Sequence, residues 1–236
     1  MTTNTKLWRI IDLINWGTNH FTAIGLNSAR REMEWFLCEI LACKRIDLYV
    51  RFEEIISDNK LDIFRKMVKR RISGEPFQHI IGKAPFYGRD FIVNQNVLIP
   101  RPETEILIER IKTNGKVGSL LDIGTGSGCI AITVEIENLA DNIFATDISE
   151  ASIEIAKKNM VLHQVEKIQF ARHDFLRQNF KSNFDVVVSN PPYIAVNEMN
   201  ALQAEVKDYD PPSALTDYSL SLIHISEPTR PRLISY

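Results

Sequence analysis

Two hydrophobic periodicities divide the 236-residue chain, and they meet near Gly74. Before that glycine, apolar positions recur every three to four residues. Leu7, Ile10, Ile11 and Ile14 are interrupted by Lys6, Arg9 and Asp12; Met33, Phe36, Leu37, Ile40 and Leu41 repeat the spacing behind Asn27-Ser28. This is the pattern of amphipathic helices with one face turned to a core, and Asn27-Ser28 suits a helix N-cap. The charges within the first run argue for a helix rather than a signal peptide. A further stretch, "KLDIFRKMVKRRIS", ends at Gly74, in the position of a helix C-cap. Residues 1–74 are therefore expected to form a small all-helical domain. From Glu75 the pattern shortens to β-type runs, Phe91–Val93 and Val97–Ile99, broken by Gly-Arg-Asp and Asn-Gln-Asn turns. A β-hairpin linker over 75–100 is expected. Pro102 then suits the first turn of a helix whose acidic start and apolar stripe come from "ETEILIERI".

Beyond Lys116 strands and helices alternate, as a doubly wound, Rossmann-like α/β sheet requires. "SLLDIG", "NIFATDI", "IQFARHD" and "FDVVVSN" read as four strands, with "GCIAITVEIEN" and "SEASIEIAKKNMVLH" as the first two intervening helices. Ligands of such sheets sit at the carboxyl ends of the strands. Here those ends carry Gly124–Gly128, Asp147, Asp174 and Asn190.

Composition narrows the picture. With 44% hydrophobic and 25% charged residues the chain is an ordinary globular protein, and disorder is not a reading it supports. No run approaches the roughly 18 apolar residues of a membrane span. Cys38, Cys43 and Cys129 are odd in number and lack metal-ligand spacing, so no metal is expected and a reducing cytoplasm fits better than a disulfide framework. The net charge of −2 is uneven: residues 1–74 hold 13 Lys+Arg against 9 Asp+Glu, and the remainder is at −6. Much of the basic excess lies in Arg65, Lys66, Lys69, Arg70 and Arg71, read either as a solvated helix face or as a contact with RNA or an acidic protein surface.

Each strand end suggests chemistry. In "LDIGTGSG" the glycines 124, 126 and 128 let backbone approach a ligand, and the following helix start turns amide N–H groups toward something negative. The dinucleotide spacing fails, because Cys129 stands where the third glycine belongs; a plain glycine turn closing a βα unit is the other reading. Asp147 follows Gly124 at the distance where an acidic side chain accepts hydrogen bonds from ribose hydroxyls, although it could equally cap the next helix. Asp174 can accept from an adenine amino group, and Phe175 can pack on the base. Asn190-Pro191-Pro192-Tyr193 is a stiff polar corner at the end of an apolar strand. Two prolines fix their own φ and push their predecessors toward extended backbone. Such a corner can hold a planar nitrogen: Asn190's side-chain oxygen and Pro191's carbonyl accept its two N–H groups, and Tyr193 walls the planar group.

These residues carry a resemblance. "RISGEPFQHIIGKAPFYGRDFIVNQNVLIPRPETE", "LDIGTGSGCIAI", "SNPPYI" and "AEVKDYDPPSAL" together resemble the bacterial release factor glutamine methyltransferase family (HemK/PrmC type), over about residues 28–215. The resemblance implies a class I S-adenosyl-L-methionine-dependent methyltransferase domain over 101–218, behind a helical substrate-recognition domain and a hairpin linker. It implies methyl transfer to the glutamine of the Gly-Gly-Gln loop of peptide chain release factors, in the cytoplasm and near the ribosome, with no DNA or membrane partner. By position, Gly124, Thr125, Gly126, Ser127, Gly128, Asp147 and Phe175 would contact the cofactor, together with Asn190, which with Pro191, Pro192 and Tyr193 would meet the glutamine. Arg101 and Glu103 would order the lip of the cleft. An adenine methyltransferase of DNA or RNA shares the four-residue corner, but would be expected to carry a basic target-reading surface. After "DPPSAL" the tail "TDYSLSLIHISEPTRPRLISY" departs from the family pattern. Residues 219–236, which lack strand-helix-strand alternation and are interrupted by Pro228 and Pro231, are expected to be a non-native tail, leaving the fourth strand without its outer neighbour and the activity impaired.

Overall fold

The structure, a computed structural model, describes residues 7–175, 177–178, 180, 182–192, 208–216 and 233–235. The chain folds as two compact units, Met1–Ile81 and Gly82–Tyr236. The first is helical: α1 (Ile10–Ala23), α2 (Ala29–Leu41), α3 (Arg45–Val50), α4 (Asp58–Ile72) and α5 (Phe77–Ile81). Its core takes Ile10, Leu13, Ile14 and Phe21 from α1, Met33, Phe36, Leu37 and Leu41 from α2, and Leu61, Phe64, Met67 and Val68 from α4. Leu7 stands outside the expected stripe, before the helix and two-thirds exposed. Ser28 occupies the N-cap position of α2 without capping it, because its hydroxyl accepts from Arg31 instead. Gly74 does follow the C-terminus of α4 in the left-handed region, φ 93°, with its amide bonded back to Arg71. The unit extends past the expected end at residue 74. Phe77 packs on Phe36 with ring centroids 5.0 Å apart, and Ile80 enters the same core.

Most of the basic run on α4 is consumed internally. Arg71 is buried against Glu32 at 2.8 Å, Arg70 Nε meets Glu75 at 2.7 Å, and Arg65 meets Asp62 at 3.0 Å. Lys66 and Lys69 make no ion pair among the described residues. A buried Glu34 is likewise held by Arg30, Arg45 and the Tyr49 hydroxyl.

The second unit opens with a hairpin, β1 (Lys83–Phe86) and β2 (Arg89–Ile92), in register Phe86↔Arg89. Arg89 and Asp90, expected in a turn, belong to β2; the turn is Tyr87-Gly88, both at positive φ (48° and 73°). A two-residue turn with both φ positive matches the twist of a hairpin. Tyr87 is held there by its amide, which donates to Glu105 Oε1 at 2.8 Å. Val97–Ile99 forms no strand: Val97 and Ile99 pack with Ala84, Val93 and Ile155 instead of pairing. A 3-10 turn (Pro102–Thr104) then leads into α6 (Glu105–Thr113).

The main sheet contains β3 (Val117–Ile123), β4 (Ala140–Asp147), β5 (Ile168–Arg172), β6 (Val186–Ser189) and β7 (Leu233–Ser235), all parallel, in the order β5-β4-β3-β6-β7. Helices α7 (Cys129–Ile136) and α8 (Glu150–Leu162) join β3 to β4 and β4 to β5. Residues two apart share a face of a strand. Leu120, Ile143, Ala145, Ile168, Val186 and Val188 bury one face in a cluster with Leu107, Ile108 and Ile111 of α6 and Ile130, Ala131 and Val134 of α7. The strand order reverses between β3 and β6, the switch point where doubly wound sheets bind ligands. The tail departs from expectation in one respect. Leu233–Ser235 pairs with β6 in register Val187↔Leu233, so the apolar edge strand satisfies its outward backbone groups with a short β-branched and leucine segment.

Candidate functional site

The register brings the four strand ends into one row. Ile123 pairs with Ser189 on one side and Thr146 on the other, and Asp147 pairs with Arg172. Gly124 and Asn190 therefore leave adjacent strands at the same level, with Asp147 and Asp174 beyond. Ser189 Oγ donates to the Ile123 carbonyl at 2.8 Å, pinning the two ends together.

The glycine turn is tightly braced. Gly124, Gly126 and Gly128 have φ of 72°, 56° and 80°, a conformation other residues enter at a cost. The amides of Gly124 and Thr125 both donate to Thr146's carbonyl, and Gly128's amide donates to Thr125's carbonyl. Buried Thr125 also donates its hydroxyl to Asp122 Oδ2 at 2.7 Å. Buried Ser127 turns its carbonyl to Asn159 of α8, whose Nδ2 donates to it at 2.9 Å. Asn159 also grips the hairpin, donating to Ile92's carbonyl at 3.0 Å and accepting from Ile92's amide at 2.6 Å. One fully buried side chain thus ties β2 to the turn. With the amides of Gly124, Thr125, Gly126 and Gly128 used internally, the amides of Ser127 and of the start of α7 are the candidate donors for an anionic group. Among the described residues nothing beyond the chain neighbours lies within 4 Å of where a Cβ would stand on Gly124 or Gly126, so both face open space.

Asp147 closes one side of this space. Its Oδ2 accepts from Gly126's amide and its Oδ1 from Ser149's, each at 2.9 Å, and a carboxylate keeps further lone pairs for hydroxyl donors. The capping of α8 falls to Ser149, whose hydroxyl accepts from Ser152's amide, so Asp147 is not needed for it. Burial raises Asp147's pKa, opposed by the amides of Ser149, Gly126 and Ile148. Asp122 is fully buried behind the turn. Burial first, then Asp147's charge, push its carboxyl up to about 7, against the Thr125 hydroxyl; Ala131's amide lowers it slightly without making a hydrogen bond to Oδ1. Asp174 is partly buried next to Arg177 Nε at 3.6 Å, and the Phe175 ring is half exposed.

At the corner after β6, Asn190 Nδ2 donates to Thr104 Oγ1 at 3.2 Å. Asn190's Oδ1 has no hydrogen-bond partner among the described residues. Pro191 and Pro192 follow, both partly exposed; Tyr193 lies outside the described residues. Arg101 reaches Asp210 Oδ2 at 3.1 Å, linking the turn before α6 to the "DPPSAL" segment, whereas Glu103 is exposed and makes no ion pair among the described residues. Asp122, Thr104, Asn159 and Asp210 are the residues that the strand-end reading missed. Two of them had a signal in the sequence: Asp122 is a carboxyl inside the apolar run "SLLDIG", and Asn159 in "AKKNMV" is a polar residue on the inward side of an apolar helix.

Comparison with known proteins turns this geometry into kinship. Residues 12–82 match the PrmC N-terminal domain and residues 102–207 the Methyltransferase small domain. The chain is 37% identical over 223 residues to a release factor glutamine methyltransferase of Chlorobaculum tepidum, covering 89% of this chain and 76% of that protein. The chain belongs to the release factor glutamine methyltransferase family. A release factor glutamine methyltransferase of Geobacter sulfurreducens is 34% identical, over 91% of this chain and 76% of its own. A bifunctional methyltransferase of Rickettsia typhi is also 34% identical, with this chain spanning 44% of it. The fold is that of a class I methyltransferase with an all-helical domain before it.

Proposed function

We propose that this chain is a protein-glutamine methyltransferase that moves the methyl group of S-adenosyl-L-methionine to the side-chain nitrogen of the glutamine in the Gly-Gly-Gln loop of peptide chain release factors. The observation that carries the reading is Asn190 Oδ1, without a hydrogen-bond partner among the described residues, one residue beyond a strand whose neighbour ends on the open glycine turn. An amide nitrogen is a poor nucleophile because its lone pair is delocalised into the carbonyl. Asn190 Oδ1 and the Pro191 carbonyl accept its two N–H groups, orient the NH2 and favour the pyramidal, electron-rich geometry that attacks in line. When bound, the cofactor supplies an electrophilic methyl on a sulfonium. Gly124–Gly128 would lie against it, the amides at the start of α7 would face its carboxylate, Asp147 would accept from the ribose hydroxyls, and Asp174 and Phe175 would hold the adenine. Tyr193 walls the glutamine side chain. No general base is needed before transfer, since the proton leaves from the cationic product.

The partner is a protein of translation termination, so the reaction belongs in the cytoplasm, near the ribosome. Among the described residues no helix is long and apolar enough to cross a membrane. The acidic balance of the residues after 74 supports a protein substrate over DNA or RNA. The test is incubation with methyl-labelled S-adenosylmethionine and, in parallel, a release factor or adenine-containing DNA. Label on the release factor glutamine is the expected result; label on DNA alone overturns the proposal.

A further inference from the structure

We infer that Thr104 is a positioning residue that anchors Asn190's amide with its acceptor end toward the substrate, an inference that rests on the glutamine methyltransferase reading above. A side-chain amide has an acceptor end and a donor end. The substrate's NH2 offers donors only, so Asn190 is productive with Oδ1 forward and useless after a half-turn about its last torsion. The two orientations are similar in shape, and packing alone separates them poorly. Thr104 Oγ1 stands 3.2 Å from Nδ2 and accepts from it, while Oδ1 has no hydrogen-bond partner among the described residues.

Thr104 is a fixed post rather than a follower. Its side chain is buried at 6% exposure, and its amide donates to the Arg101 carbonyl at 3.0 Å within the turn that begins on Pro102. Both flanks of that turn are anchored, Arg101 to the buried Asp210 at 3.1 Å and Glu105 to the Tyr87 amide at 2.8 Å. The backbone that carries the hydroxyl is therefore held on both sides, and the bond restrains the last torsion of the asparagine. This assigns a purpose to the middle of "PRPETE" that sequence position alone does not suggest: the segment holds the catalytic amide from behind. Thr104 touches neither substrate nor cofactor and exchanges no proton with them.

The test uses the full 236-residue chain. Thr104→Val keeps the shape and removes the acceptor; Thr104→Ser keeps it. Loss of one hydrogen bond's orientation is expected to lower kcat about tenfold in Thr104→Val. KM for the release factor and Kd for S-adenosylmethionine should stay within about twofold, and Thr104→Ser should restore most of the rate. In parallel, the side-chain amide protons of Asn190, followed by 15N-edited NMR, should exchange slowly in wild type and Thr104→Ser and fast in Thr104→Val. Thr104→Ala repeats the measurement without a branched side chain. A Thr104→Val enzyme with wild-type kcat, or an Asn190 amide whose exchange ignores residue 104, overturns the inference. If wild type labels no release factor while the amide signature still depends on Thr104, the functional reading falls and the positioning role stands.

Discussion

The turn after β3 and the corner after β6 leave adjacent strands at one level, yet they are held in opposite ways. The glycine turn is flexible by composition and becomes rigid through many partners: Thr146, Asp147, Asp122 and Asn159 each bind it. The corner is rigid by covalent constraint, two prolines in a row, and its one swivelling group is held by one hydrogen bond to Thr104. A surface that must wrap a whole cofactor needs a shaped backbone, and only glycine backed by bracing supplies that. A corner that must present one carbonyl needs a stiff mount and a single orientation. Damage to the turn should therefore spread into stability and cofactor affinity together, whereas damage to the corner should stay in the chemical step.

The largest expected effect breaks the corner. Asn190→Ala removes the acceptor for the substrate nitrogen, and transfer should fall by about 100-fold or more, the scale seen when one preorganised hydrogen-bonding group is lost. Cofactor affinity, measured by calorimetry, should change less than about twofold. Equal loss of transfer and of cofactor affinity would show that the corner and the turn are not separate devices.

How far the sequence revealed these devices follows from how local each one is. Strand ends were legible because buried apolar runs stopped on Gly124, Asp147 and Asn190, residue types uncommon in a strand interior. The braces were not, because their partners are far away along the chain: Asn159 meets Ile92 across 67 residues and Asn190 meets Thr104 across 86. Val97–Ile99 misled for a related reason. Its alternation is real, but the apolar positions dock on Ile155 of α8 rather than beside another strand. Leu233–Ser235 was hidden because its pairing is chosen by the open edge of β6 and not by its own pattern.

The next effect breaks the turn through its brace. Asn159→Ala deletes three hydrogen bonds and leaves Ile92's amide and Ser127's carbonyl unsatisfied near the core, a loss of about 2–4 kcal/mol. Urea unfolding should show it, and cofactor affinity should fall with it. A change below about 0.5 kcal/mol would mean that the turn holds its shape without α8.

A smaller effect is available through pH, because the turn has buried carboxyls behind it. Asp122 titrates at 3.8 in its ordinary state and at about 7 when folded. Between these values the folded chain holds a proton that the unfolded chain has released, so stability declines as pH rises from about 4 to about 7 and levels off above. Asp147, also raised by burial, acts in the same direction. The decisive quantity is therefore the difference between wild type and Asp122→Asn in denaturation midpoints at pH 5 and pH 8. The variant should lose most of the pH dependence, and parallel curves would remove Asp122 from the account.

The smallest effect separates two glycines of the same turn. A Cβ on Gly128 would stand 3.0 Å from Ala156 Cβ and 3.1 Å from Ile132 Cδ1, so Gly128→Ala pays both for its φ of 80° and for a clash with the core behind the turn. A Cβ on Gly126 meets nothing within 4 Å, so Gly126→Ala carries the backbone strain alone, about 1–2 kcal/mol. Its methyl would project into the open space in front of the turn. Stability should therefore drop more in Gly128→Ala, as thermal unfolding of the free protein would show. Gly126→Ala should lose cofactor affinity out of proportion to its modest destabilisation, because the methyl occupies space that the cofactor is proposed to fill. A Gly126→Ala protein that binds S-adenosylmethionine as tightly as wild type would place the cofactor elsewhere along the row of strand ends.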